Sequence, residues 1–118
     1  MQGDRILGTH LIVDALADTN LDNLGAVSDF ILESVRKVGL TLVYIHGQEF
    51  KNGSNLGPGV SVIGMLSESH MSVHTSPEHR LIQVDLYSCK EFDPERIRVL
   101  MDSTFKVTSY LLWIARRR

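Results

Sequence analysis

The sequence predicts an α+β fold, an antiparallel sheet with two helices packed on one face. Three observations predict it. The 118 residues fit one domain, residues 1–118, because a single hydrophobic core usually occupies about 100–150 residues. Two segments place apolar residues at three- and four-residue spacing, the signature of an amphipathic helix. Six others alternate apolar with polar residues or run through short β-branched stretches, and four of these follow one another with no helix between them, as antiparallel neighbours do.

Residues 6–14 (ILGTHLIVD) read as the first strand. Thr19-Asn20-Leu21-Asp22 then resembles a capping box that opens a helix over about 20–38. Leu24, Val27, Ile31, Val35 and Val38 form its apolar stripe, and Gly39 supplies the stop. Residues 40–45 are the second strand. The polar, glycine-rich stretch 47–59 (GQEFKNGSNLGPG) is the one long loop, of a length that in compact domains tends to carry function. Residues 60–66, 71–75 and 81–88 are three further strands. Asp93 as N-cap and Pro94 at the first helical position open a second helix with Ile97, Leu100, Met101 and Phe105 along one side, and 107–114 closes the chain as a strand.

The two faces of that sheet differ. Val60, Val62 and Leu66 point one way, toward the helices, while Ser61, Ile63, Met65 and Ser67 point the other. Ile63, Met65 and Tyr87 share the second face with Ser61 and Cys89. That mixture is not a solvent surface, and its simplest cover is a second copy of the chain, giving half of an αββα sandwich per protomer.

Composition narrows the function. Formal net charge is −2 and the only basic run is Arg116-Arg117-Arg118, so no broad footprint for nucleic acid is expected. No apolar run reaches the ~20 residues that span a bilayer, and the first residues lack the apolar core of a secretion signal. No membrane association is expected, and the cytoplasm is the expected compartment. Cys89 is the single cysteine, which excludes an intrachain disulfide.

Reactive side chains concentrate at 67–79, Ser-Glu-Ser-His-Met-Ser-Val-His-Thr-Ser-Pro-Glu-His. His70 and His74 fall on one strand face, too far apart for tight pair ligation and with no third ligand, so no metal is expected. No glycine-rich nucleophile elbow surrounds either serine, which argues against a serine hydrolase. On residue types alone the stretch also reads as a polar edge strand.

Four strings remove that ambiguity. GTHLIVD at 8–14, GVSV at 59–62, SESHMSVHTSPEH at 67–79 and VDLYSC at 84–89 resemble, in order and nearly in spacing, the bacterial and archaeal S-adenosylmethionine decarboxylase proenzymes, over about Leu7 to Ile114. The resemblance implies a pyruvoyl-dependent decarboxylase of S-adenosylmethionine in polyamine (spermidine) biosynthesis, made by autocatalytic cleavage between Glu68 and Ser69 into 1–68 (β chain) and 69–118 (α chain). Ser69 becomes the covalent pyruvoyl cofactor, whose carbonyl condenses with the substrate amine. His74 matches the base that removes the Ser69 α-proton during processing, and Ser61 a residue that assists the acyl shift. Cys89 matches the proton donor to the decarboxylated carbon, a role that suits a thiol. Glu78 matches a carboxylate that binds the ribose hydroxyls. The resemblance also implies a homodimer with each active site near the protomer interface.

The likeness has gaps. The family usually reads His-Thr-Trp-Pro-Glu-Tyr-Gly where this chain has His74-Thr75-Ser76-Pro77-Glu78-His79-Arg80. The loop before Gly59 is longer, and the adenine-stacking aromatic falls at Asn55 without a gap or at Phe50 with one. Two alternatives follow: a pyruvoyl-dependent decarboxylase of arginine or ornithine, with Glu49 or Asp85 meeting the substrate cation, and an unprocessed, non-catalytic homologue.

Overall fold

The computed structural model describes residues 7–52 and 57–118. The order is β1 (Gly8–Ala17), α1 (Leu24–Lys37), β2 (Leu42–Phe50), β3 (Gly59–Leu66), β4 (Ser69–Ser76), a 3-10 turn (Pro77–His79), β5 (Leu81–Ser88), α2 (Pro94–Phe105) and β6 (Val107–Arg117). The strands pair antiparallel in the spatial order β2-β3-β4-β5-β1-β6. The expected class and element order are both observed.

Period-2 patterning decides which face is buried. Leu11, Val13, Ala15 and Ala17 of β1, Val60, Val62 and Leu66 of β3, Met71 and Val73 of β4, and Ile82, Val84 and Leu86 of β5 are all buried. The helices complete that core with Val27, Phe30, Ile31 and Val35 from α1 and Ile97, Met101 and Phe105 from α2. Phe30 and Phe105 meet edge to face with centroids 5.2 Å apart, locking the two helices side by side. Tyr110 of β6 donates to the Asp102 carboxylate at 2.8 Å, which ties the edge strand to α2. Burial first, and that carboxylate second, push the Tyr110 phenol above its ordinary range.

The ends of several elements depart from expectation: β4 begins at Ser69 and not at Met71, β6 runs on to Arg117, and three further differences have a physical reason. α1 starts at Leu24, not in the Thr19–Asp22 capping box, and its N-cap is Asn23, whose side chain accepts from the Ala26 N–H at 2.9 Å. The reason is tertiary. Leu21 is buried in the core, while Thr19 and Asn20 donate to the Thr104 carbonyl near the end of α2. Next, β1 runs on to Ala17 because Ala15 and Ala17 continue the buried alternation. Last, the loop expected at 47–59 is shorter, because Gly47, Gln48, Glu49 and Phe50 pair with Val62, Ser61, Val60 and Gly59 as the end of β2. β2 lies at the sheet edge, where polar residues are tolerated, and Gly47 lets α1 approach closely, since a Cβ there would sit 2.8 Å from Leu24 Cδ1 and push that side chain aside. Asn55 lies outside the described residues.

The face opposite the helices is open and carries large apolar side chains among polar ones. Tyr44, Ile63, Met65, Leu111 and Trp113 expose between 49% and 61% of their surface across it. This is the mixed face that the strand alternation marks out.

Gly59 offers a direct check on the close approach of β3 and β4. A Cβ there would overlap the Thr75 carbonyl oxygen, a backbone atom that cannot swing aside. Gly59→Ala is expected to cost about 2 kcal/mol or more, read as a lower urea midpoint. Gly25→Ala, in the first turn of α1 with its nearest neighbouring atom at 3.4 Å, is expected to be neutral or slightly stabilising.

Candidate active site

The reactive cluster folds as the β3–β4 hairpin, and the register of that hairpin sorts the site residues into two groups. Leu66 pairs with Ser69, so Ser67-Glu68 form a two-residue turn. The turn is strapped on both sides. The Glu68 carboxylate accepts from the Thr41 N–H at 3.0 Å, and the Ser67 N–H donates to the Thr41 carbonyl at 2.9 Å. From the other side the Cys89 N–H donates to the Glu68 carbonyl at 3.1 Å. This last contact sits on the bond predicted to break. Sequence reasoning missed it, because only the register that sets Ser69 opposite Ser88 brings Cys89 to that carbonyl.

Ser69 opens β4 and is half-buried. Cys89 follows the last residue of β5 with its thiol exposed. A cleft of about 170 Å³ lies beside it, lined by Thr9, Ser88, Cys89, Lys90 and Arg116. Glu68, Ser69 and Cys89 thus stand together at one end of the sheet.

The second group stands at the other end. Ser61 and His74 pair across β3 and β4, and Ser61 Oγ shares a 2.8 Å hydrogen bond with His74 Nδ1. That bond fixes the imidazole and leaves Nε2 as the nitrogen facing outward. Both side chains line a cavity of about 310 Å³ with Phe50, Ser76, Leu81 and Gln83. Glu78 is beside it, in the 3-10 turn after β4. Gly57, with φ of 77°, passes so close that a Cβ would lie 2.6 Å from Glu78 Oε2. Ser76 and His79 share a 2.9 Å hydrogen bond, and Arg80 pairs with Asp18 at 2.5 Å.

These two groups do not meet within one chain. Five residues of extended strand separate Ser69 from His74, about 16 Å at ~3.3 Å per residue. The Ser67-Glu68 turn reverses the chain ahead of Ser69, but it does not bring His74 to Ser69. Asp85 is also otherwise engaged, accepting from or pairing with His10 Nε2 at 2.7 Å. It is therefore a poor candidate to meet a substrate cation.

Glu68 carries a pH signature. The Thr41 N–H bond, the largest cause, lowers its pKa from the ordinary value of 4.5. With the folded pKa depressed, the strap's contribution is present above the ordinary glutamate value and is lost as pH falls through the lowered one. A carbon-13 NMR titration is expected to place the Glu68 midpoint below 4.5; a midpoint at or above that value would mean the carboxylate does not hold Thr41 in solution.

Comparison with known proteins gives a consistent set. The family model described as S-adenosylmethionine decarboxylase matches residues 9–118. The chain is 36% identical over 103 residues to an S-adenosylmethionine decarboxylase proenzyme of Thermomicrobium roseum, covering 85% of this chain and 84% of that protein. A proenzyme of the same description from Aeropyrum pernix is 34% identical over 88 residues, 72% of this chain and 63% of that one, so this chain spans under two thirds of its length. An arginine decarboxylase proenzyme of Pyrobaculum arsenaticum is 34% identical over 71 residues, 60% of this chain and 52% of that protein. The fold matches the crystal structure of the adenosylmethionine decarboxylase from Aquifex aeolicus with a TM-score of 0.80 at 24% identity, covering 96% of this chain and 92% of that one.

Proposed function

Because the chain belongs to the S-adenosylmethionine decarboxylase family, we propose that it is a pyruvoyl-dependent carboxy-lyase acting on S-adenosylmethionine, and that two copies share each active site. The observation that carries this reading is the Cys89 N–H held 3.1 Å from the carbonyl of Glu68. Attack of the Ser69 hydroxyl on that carbonyl carbon pushes negative charge onto its oxygen, and a fixed backbone donor stabilises such charge without reorganising. Collapse expels the Ser69 nitrogen as an amine and leaves an ester between Glu68 and the Ser69 side chain. Removal of the Ser69 α-proton then breaks the Cβ–Oγ bond, freeing residues 1–68 as a carboxylate and leaving dehydroalanine, which takes up water and loses ammonia to become the pyruvoyl group.

That α-proton needs a base. His74, with Nδ1 held by Ser61, suits the task chemically but lies about 16 Å along its own strand from Ser69. A two-fold related copy packed on the open face of Ile63, Met65, Leu111 and Trp113 would run its sheet back across the first. His74 of the partner subunit then faces Ser69, and the apolar face is covered. The same packing sets the 310 Å³ cavity with Glu78 opposite Ser69 and Cys89, so that the cavity takes the adenosyl end of the substrate while Glu78 accepts from the ribose hydroxyls. The pyruvoyl group supplies the carbonyl that withdraws electrons as carbon dioxide leaves. Cys89, exposed beside it, returns a proton to the α-carbon. The product would serve spermidine synthesis in the cytoplasm; among the described residues no helix is long and apolar enough to cross a membrane.

Arginine is the second reading, favoured by the Pyrobaculum arsenaticum relative and by Ser76, His79 and Arg80 standing where the family usually has Trp, Tyr and Gly.

Intact mass spectrometry is expected to show fragments 1–68 and 69–118, the second blocked by pyruvoyl, and Ser69→Ala is expected to remain full length; a wild-type protein that stays uncut would overturn the reading. Ser69→Ala and His74→Ala chains, each inactive alone, are expected to regain measurable activity when co-expressed, since one mixed site then holds both residues. Glu78→Gln is expected to raise the KM for S-adenosylmethionine about tenfold or more, through loss of charge-assisted hydrogen bonds worth ~1.5–3 kcal/mol, and still to self-cleave.

A further inference from the structure

Resting on that reading, we propose that Gln83 selects the substrate's base, its side-chain amide pairing with the edge of the adenine ring that carries the 6-amino group. The cavity beside His74 is shaped as a slot. Phe50 of β2 pairs with Gly59 of β3, and Ser76 of β4 pairs with Leu81 of β5. Gly59 and Ser76 are thus small residues on the cavity lining between two large apolar ones. Phe50 keeps 42% of its surface exposed, so the wall is not consumed by packing within the chain. A flat ring fits such a slot, whereas the tryptophan that the family usually carries at position 76 would fill its floor.

One row further along the sheet, Gln83 pairs with His74 on one side and Asp14 on the other, and His74 pairs with Ser61. Gln83 is half-buried, lines the cavity, and makes no side-chain hydrogen bond among the described residues. Ser61 Oγ and His74 Nδ1 are committed to each other, which leaves the Gln83 amide, with the outward His74 Nε2 beside it, as the open polar groups on that row of the cavity wall, and of these only the amide offers both a donor and an acceptor side by side. A primary amide presents a donor and an acceptor side by side, the pattern that pairs with the 6-amino group and neighbouring ring nitrogen of adenine. A guanidinium has donors only, so it would leave the Gln83 NH₂ unmatched. Where the family's aromatic residues are missing, a hydrogen-bonding reader replaces them.

The test compares S-adenosylmethionine with the analogue whose purine lacks the 6-amino group. Unsubstituted enzyme is expected to favour the adenosyl substrate in kcat/KM by about tenfold or more, and Gln83→Ala to bring that ratio close to one. Gln83→Glu, which keeps an acceptor at the same reach, is expected to retain the preference. A general loosening of the fold would slow both substrates alike, so the ratio isolates contact with the ring. If the enzyme decarboxylates S-adenosylmethionine while Gln83→Ala keeps its full discrimination, or Gln83→Glu loses it, Gln83 does not read the base. If the unsubstituted enzyme turns over arginine in preference, the functional reading itself fails and this inference falls with it.

Discussion

The antiparallel register of β3 and β4 is the constraint on which everything else depends. Pairing Leu66 with Ser69 makes a two-residue turn of Ser67-Glu68, and the same register sets Ser61 against His74 five residues away. One alignment therefore sets the Glu68-Ser69 peptide at one tip of the sheet and a held imidazole at the other. A slip of one residue would turn Ser61 and His74 into the helix-covered core and Val62 and Val73 out of it, so the hydrophobic pattern that stabilises the domain also fixes the chemistry.

Polar straps then refine what the register sets out. Thr41, at the entry to β2, holds the Glu68 side chain, and Cys89, just past β5, holds the Glu68 carbonyl. Neither contact buries much surface. Their value is positional, since each fixes one side of a turn that would otherwise be free to twist, and a hydrogen bond within a fixed framework costs little further entropy.

The sequence made the strands legible because β1, β3 and β5 alternate cleanly, and α2 because Asp93 and Pro94 mark its start. It hid the start of α1. Thr19 to Asp22 have the composition of a cap, yet Leu21 is drawn into the core and Asn20 takes φ of 64°, so tertiary burial overrides local preference. The end of β2 was hidden for a different reason: Gln48 and Glu49 look like loop because an edge strand has no need of apolar side chains on both faces. Among the site residues, Ser61, Glu68, Ser69, His74, Glu78 and Cys89 were visible as a motif, and Phe50 as the nearest aromatic before the loop. Their grouping was not, because distance along a hairpin depends on register. The Cys89 backbone donor and Gln83 carry no signature in a linear reading, and both emerge only from cross-strand neighbours.

The strand order has a further consequence for a chain cut after Glu68. Residues before the cut supply β1, β2 and β3, and residues after it supply β4, β5 and β6, but the sheet runs β2-β3-β4-β5-β1-β6. β1 is clasped between two strands of the other fragment, and β3 is laddered to β4. The two pieces are interwoven, so severing the peptide does not release them, and they can part only by unfolding. Once apart, their reunion is a bimolecular search instead of a single-chain collapse, and it must rethread β1 between its neighbours. Cleavage there would convert a fold that can be rebuilt at any dilution into one whose recovery depends on concentration, and would commit the molecule to its cut form by topology as well as by chemistry.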